Sequence, residues 1–126
     1  MFKVLIFARR RPDLDRQTFI SLYETQHMTL SDRLVADGTL PPMVDYRRNY
    51  LIKTHDANIG SPPDFDVVTE AWFENEAAFS ANREGVSRPD IAQLVMDDLG
   101  SFLDLTSLTY VVVDERCGTP AMNAKN

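Results

Sequence analysis

The chain has 126 residues, of which 44% are hydrophobic and 25% charged, long enough for one compact domain and too short for two with separate cores. Thirteen basic against nineteen acidic side chains give a net charge of −6, which repels a phosphate backbone and argues against nucleic acid as a partner. No apolar run approaches the ~18 residues of a membrane span, the run Phe2 to Ala8 is not flanked like a secretory signal, and the chain is expected to be cytoplasmic, without a membrane partner.

The charge is unevenly divided: residues 1–54 carry nine Lys/Arg against six Asp/Glu, and residues 55–126 carry four against thirteen. Ten of the thirteen basic residues are Arg, whose planar fork suits carboxylates, either in the protein or on a ligand. The single cysteine, Cys117, lies in a polar C-terminal segment and offers no internal disulfide.

The apolar, strand-forming run 2–9 predicts a first strand. Pro12-Asp13-Leu14 turns the chain, and Asp15 is placed to N-cap a helix with Phe19, Leu22, Tyr23, Leu30 and Leu34 on one face, running to Asp37-Gly38. Segment 43–53 alternates, with Val44, Tyr46, Arg48, Tyr50 and Ile52 in one set, and predicts a second strand. A Pro- and Gly-containing loop leads to a third strand over 65–73, interrupted by Glu70 and holding the only tryptophan, Trp72. Asn75 caps a short helix through Phe79. A further helix opens at Ser87-Arg88-Pro89-Asp90, with capping-box spacing between Ser87 and Asp90, and carries Ile91, Leu94, Val95, Leu99 and Phe102 on one side. A valine-rich fourth strand follows at 108–115, and residues 117–126 form a polar tail expected to fray.

The order β-α-β-β-α-β is that of an α+β, ferredoxin-like domain: one four-stranded antiparallel sheet with the helices on one face. The other face would be bare, available for stacking on RNA, for a second sheet, or for a pocket between two sheets. An RNA-stacking strand requires a basic, Gly- and aromatic-rich motif that Phe65-Asp-Val-Val-Thr-Glu-Ala-Trp-Phe73 lacks, so face-to-face dimerisation is favoured.

Helical spacing puts His27 on the apolar face, four residues after Tyr23. There it serves either as a hydrogen-bonded core histidine or as a general acid or base working near neutral pH. Tyr46, Arg48 and Tyr50 share a strand face that suits a planar anion or, equally, a subunit seam. Glu70, on a face with Trp72, Asp66 and Val68, is either paired with a cation such as Lys3 or available for proton transfer. With two histidines, no His-x-His or Cys-x-x-Cys spacing, no Gly-rich phosphate loop and no Gly-x-Ser-x-Gly elbow, no metal site and no cofactor are expected.

The opening strand, the Arg-x-Pro turn at Arg10-Arg11-Pro12 and the series Phe19-x-x-x-Tyr23-x-x-x-His27-x-x-Leu30 resemble the start of EthD-domain proteins. Tyr46-Arg-Arg-Asn-Tyr50 looks like that family's second strand, Glu70-Ala-Trp-Phe73 followed by Ala78-Phe79 is similar to its third strand and helix start, and Phe102-Leu103-Asp104 fits its end, so residues 1–116 would form the domain. Met28-Thr29 stands where the family often has Ala-Pro or Val-Pro. The resemblance implies a homodimer, a dimeric α+β barrel. It also implies a cofactor-independent lyase of the decarboxylase, dehydratase or cyclase type, acting on a small aromatic or polyketide-derived acid, with secondary-metabolite members the most similar. A cofactor-free oxygenase of anthrone-like phenols, a muconolactone-type isomerase and a non-catalytic ligand-binding dimer are the alternatives. His27 would be the catalytic acid or base. Tyr23, Tyr46, Arg48, Tyr50, Glu70 and Trp72 would bind substrate, with Arg48 holding its carboxylate or enolate.

Overall fold

In the computed structural model, which describes residues 1–118, the first apolar run forms β1 (Phe2–Arg10). Asp15 accepts a hydrogen bond from the Thr18 amide at 2.7 Å and caps α1 (Arg16–Ser21), as its spacing predicts. The helix then passes through a π turn, Leu22–His27, and continues as α2 (Met28–Ala36). Thr25 Oγ1 donates to the Ser21 carbonyl at 2.6 Å inside that turn, the kind of side-chain bond that opens a helical ladder. The helix does not break at Met28-Thr29, where no proline interrupts it. Gly38, at φ 82°, ends it in the left-handed region.

The remaining elements are β2 (Asp45–Tyr50), β3 (Val67–Phe73), α3 (Glu76–Ser87), α4 (Pro89–Gly100) and β4 (Leu103–Val113). Two boundaries differ materially from the sequence expectation. The helix capped by Asn75 runs on to Ser87 instead of stopping near Phe79, and Ser87 donates to the Arg83 carbonyl of that helix, so the capping box with Asp90 does not form. β4 begins five residues before the valine-rich stretch, because Leu103 and Asp104 pair with Arg10 and Arg9 across a register shift in β1. The frayed tail expected at 117–126 falls mainly on residues 119–126, outside the described residues.

The sheet order is β2-β3-β1-β4 with every pairing antiparallel, a ferredoxin-like α+β fold. Both crossovers place their helices on one face. That face carries Val4, Ala8, Val67, Thr69, Ala71 and Phe73, all buried. Under α1 and the π turn an aromatic cluster forms around Phe19, Tyr23 and Phe102, with ring centroids 5.1–6.5 Å apart, and each such ring contributes about 1.5–3 kcal/mol by its burial. No helix among the described residues is long and apolar enough to cross a membrane.

Candidate active site

The helices do not seal the sheet. Between them and the strands lies a cavity of about 480 Å³, walled largely by apolar side chains such as Val4, Ile6, Leu34, Phe73, Val95 and Leu99. Its volume is in the range of small-molecule pockets, and its few polar groups occur in small clusters.

His27 lines the cavity at the end of the π turn, and its Nδ1 lies 2.6 Å from Oδ2 of Asp98 on α4. The Asp98 side chain is 6% exposed, and its other oxygen accepts from Gln26 Nε2 at 3.0 Å. A carboxylate so bound takes the proton-bearing Nδ1, fixes the ring and leaves Nε2 as the nitrogen able to exchange a proton with a bound molecule. The ring is also held edge-on to Tyr23, with centroids 5.2 Å apart.

A second polar cluster comes from Tyr23, Tyr46 and Thr69. The Tyr23 hydroxyl lies 2.9 Å from that of Tyr46 and 2.7 Å from Thr69 Oγ1, and all three residues line the cavity. Burial holds both phenols above the ordinary value, in Tyr46 reinforced by the neighbouring Tyr23 phenol. Both therefore stay neutral at physiological pH and remain available as hydrogen-bond donors.

Of the residues expected at the site, His27, Tyr23 and Tyr46 come together. Arg48 and Tyr50 lie on the same sheet face but do not line the cavity. Arg48 is instead committed to Glu24, donating from Nε at 2.9 Å and Nη2 at 2.6 Å, and Tyr50 donates to the same carboxylate. Its guanidinium is thus neutralised within the fold, contrary to its expected role on a substrate carboxylate. Arg48 also holds the Glu24 carboxyl below its usual value.

Glu70 and Trp72 are placed apart from the others, because alternation along β3 turns them to the face opposite the helices. There Lys3 Nζ donates to Glu70 at 2.9 Å and sits 4.3 Å from the Trp72 ring centroid, while Trp72 Nε1 donates to Glu115 at 3.1 Å. Lys3 holds the Glu70 carboxyl below its ordinary value, so Glu70 is an ion-pair member and not a proton carrier.

Sequence reasoning missed Asp98, Thr69, Asn82 and Arg83, all cavity-lining. A signal for Asp98 was present: it falls among Ile91, Leu94, Val95, Leu99 and Phe102, so helical spacing puts a carboxylate on the apolar side, where it needs a partner. Among the described residues no group of three or more His, Cys, Asp or Glu converges as metal ligands.

Fold and site together define the class: a ferredoxin-like α+β domain that encloses a histidine–carboxylate pair between its sheet and its helices. The EthD domain model matches residues 11–106, and the chain belongs to the EthD-domain family. Its structure is similar to that of an ethyl tert-butyl ether d (EthD) family protein from Bacillus halodurans, with a TM-score of 0.57, 20% identity, and 92% of this chain and 100% of that chain covered. It is also similar to HapK from Hahella chejuensis, with a TM-score of 0.56, 14% identity, and 94% and 96% covered. A dimeric ferredoxin-like protein of unknown function from Thermobifida fusca matches with a TM-score of 0.53, 14% identity, and 90% of both chains covered. At these identities the likeness is one of fold. No curated protein sequence matches the chain.

Proposed function

We propose that the protein is a lyase that uses no cofactor and acts on an aromatic or polyketide-derived acid, with His27 as the general acid or base. One observation carries the reading: an imidazole lining an apolar cavity, with one nitrogen committed to the buried carboxylate of Asp98 and the other left for a ligand.

In a β-keto acid the carbonyl next to the α-carbon is the electron sink. The bond between the α-carbon and the carboxylate breaks, carbon dioxide leaves, and the electron pair passes into the neighbouring carbonyl as an enolate. A proton from His27 Nε2 then reaches carbon, and water restores it to the ring. Asp98 orients the ring and supplies the counter-charge while it carries the extra proton. The neutral Tyr23 and Tyr46 phenols donate to the enolate oxygen as its charge develops. In this account Arg48 and Tyr50 brace the π turn through Glu24, and Glu70 and Trp72 belong to the open sheet face.

The open face also supports a homodimer. Leu5, Phe7, Val68, Val111 and Val113 lie there on adjacent strands in a continuous apolar strip, beside the Lys3 cluster. A second copy packed sheet to sheet would cover it, giving a dimeric α+β barrel.

The test is product analysis with an aromatic β-keto acid, following carbon dioxide, oxygen uptake and the organic product together. Release of carbon dioxide or water without oxygen uptake is the expected result. Oxygen uptake would assign the site to oxygenation, rearrangement without loss to isomerisation, and binding without chemical change to a ligand carrier, and each of these overturns the lyase reading.

A further inference from the structure

The cavity holds a cation that the catalytic account does not use. Arg83, on α3, is the one Lys or Arg side chain lining it, and no carboxylate among the described residues lies within ion-pair distance. Its guanidinium is nevertheless held in place. It lies 4.5 Å from the Tyr110 ring centroid and 5.7 Å from that of Phe79, and Nε and Nη2 both donate to Asn82 Oδ1, at 3.0 and 2.6 Å.

Those bonds orient the neighbouring amide as well. An Arg side chain only donates, so the Asn82 oxygen must face it, and the Asn82 NH2, in a buried residue lining the cavity, is turned elsewhere. Nη1 makes no hydrogen bond to the protein, and Nη2 carries a second N–H beside the one it gives Asn82, which leaves a pair of donors able to take a carboxylate. The result is a corner of donors with a net positive charge inside an apolar cavity. Arg48, on β2, is already neutralised by Glu24.

We infer that Arg83, positioned by Asn82 and Tyr110, is the residue that receives the carboxylate of the ligand, and that the cavity selects planar organic anions over their neutral counterparts. This rests on the aromatic-acid reading of the same cavity. A half-buried cation without a counter-charge carries a desolvation cost that an anionic ligand offsets, whereas a neutral one does not.

The test is calorimetric titration of the full chain with 2-naphthoate and with its neutral isostere 2-naphthamide, at about pH 8, where the carboxylate is fully ionised. Wild type is expected to prefer the carboxylate by about tenfold or more, the effect of a charge-assisted bidentate contact. Arg83→Gln should abolish that preference and bind the amide within about twofold of wild type, since the apolar contacts are unchanged. Arg33→Gln, which removes an equal charge from exposed α2, should keep it. Arg83→Lys, which keeps the charge without the fork, should show a reduced preference and decides the matter if Arg83→Gln does not fold. A carboxylate preference that persists at wild-type size in the folded Arg83 variants overturns the assignment. Binding of both probes by wild type without discrimination removes the Arg83 assignment and leaves the aromatic cavity standing. Binding of neither removes both.

Discussion

Glu24→Gln tests whether the π turn that presents Tyr23 and His27 is held from outside the cavity. The carboxylate accepts from Arg48 Nε and Nη2 and from the Tyr50 hydroxyl, the last at 2.5 Å. Hydrogen bonds to charged groups contribute about 1.5–3 kcal/mol when well buried, and exposed ion pairs about 0.2–1 kcal/mol. The Glu24 side chain is 36% exposed and that of Arg48 21%, so solvent screening pulls the value toward the lower range while the bidentate geometry holds it above the bottom. A loss of about 1–2 kcal/mol at neutral pH follows for Glu24→Gln, which also leaves Arg48 without its counter-charge.

The pH dependence has a definite sign. Arg48 holds the folded-state Glu24 carboxyl below its ordinary value of 4.5, so the contribution is fully present above that value and is lost as pH falls through the folded-state value. Urea denaturation of wild type and variant at about pH 7 and about pH 3 should therefore show a stability gap that narrows in acid. Equal stability at neutral pH, or a gap that does not narrow in acid, would refute the reasoning.

Other consequences follow from the same structure. A Cβ on Gly85 would sit 2.6 Å from the Thr39 carbonyl oxygen, so Gly85→Ala should lower stability by about 1–3 kcal/mol despite the helix propensity it gains, and a variant as stable as wild type in thermal denaturation would contradict that packing. Sedimentation should give a dimer for wild type, and Val68→Glu, which puts a charge on the open sheet face, should give a folded monomer; a wild-type monomer would remove the sheet-to-sheet dimer. Nitrogen NMR of His27 in its neutral form should find the proton on Nδ1, facing Asp98, and a proton on Nε2 would show that Asp98 does not set the tautomer.

The element order was legible because local chemistry agrees with the fold. Asp15, Gly38 and Asn75 end or begin helices where their types predict, and the alternation of Tyr46, Arg48 and Tyr50 puts them on one face. Alternation also grouped Glu70 with Trp72, but it does not say which face the helices cover. Both sets on β3 are rich in apolar residues, with Val67, Ala71 and Phe73 on one side and Val68 and Trp72 on the other, so the separation from His27 appeared only with the helices in place. The partners of His27 and Arg48 were hidden for different reasons. Asp98 is 71 positions from His27 in the chain, and Glu24 reaches Arg48 from a π turn that no residue pattern announced.

If His27 carries a proton to or from a ligand in the cavity, turnover depends on its imidazole. The most direct measurement is the turnover of His27→Ala on an aromatic acid that wild type converts, with fold and assembly checked in the same sample. Turnover should fall at least about a hundredfold in kcat with the fold intact, the usual contribution of a positioned general acid or base. Turnover equal to that of wild type in a folded His27→Ala protein would contradict it.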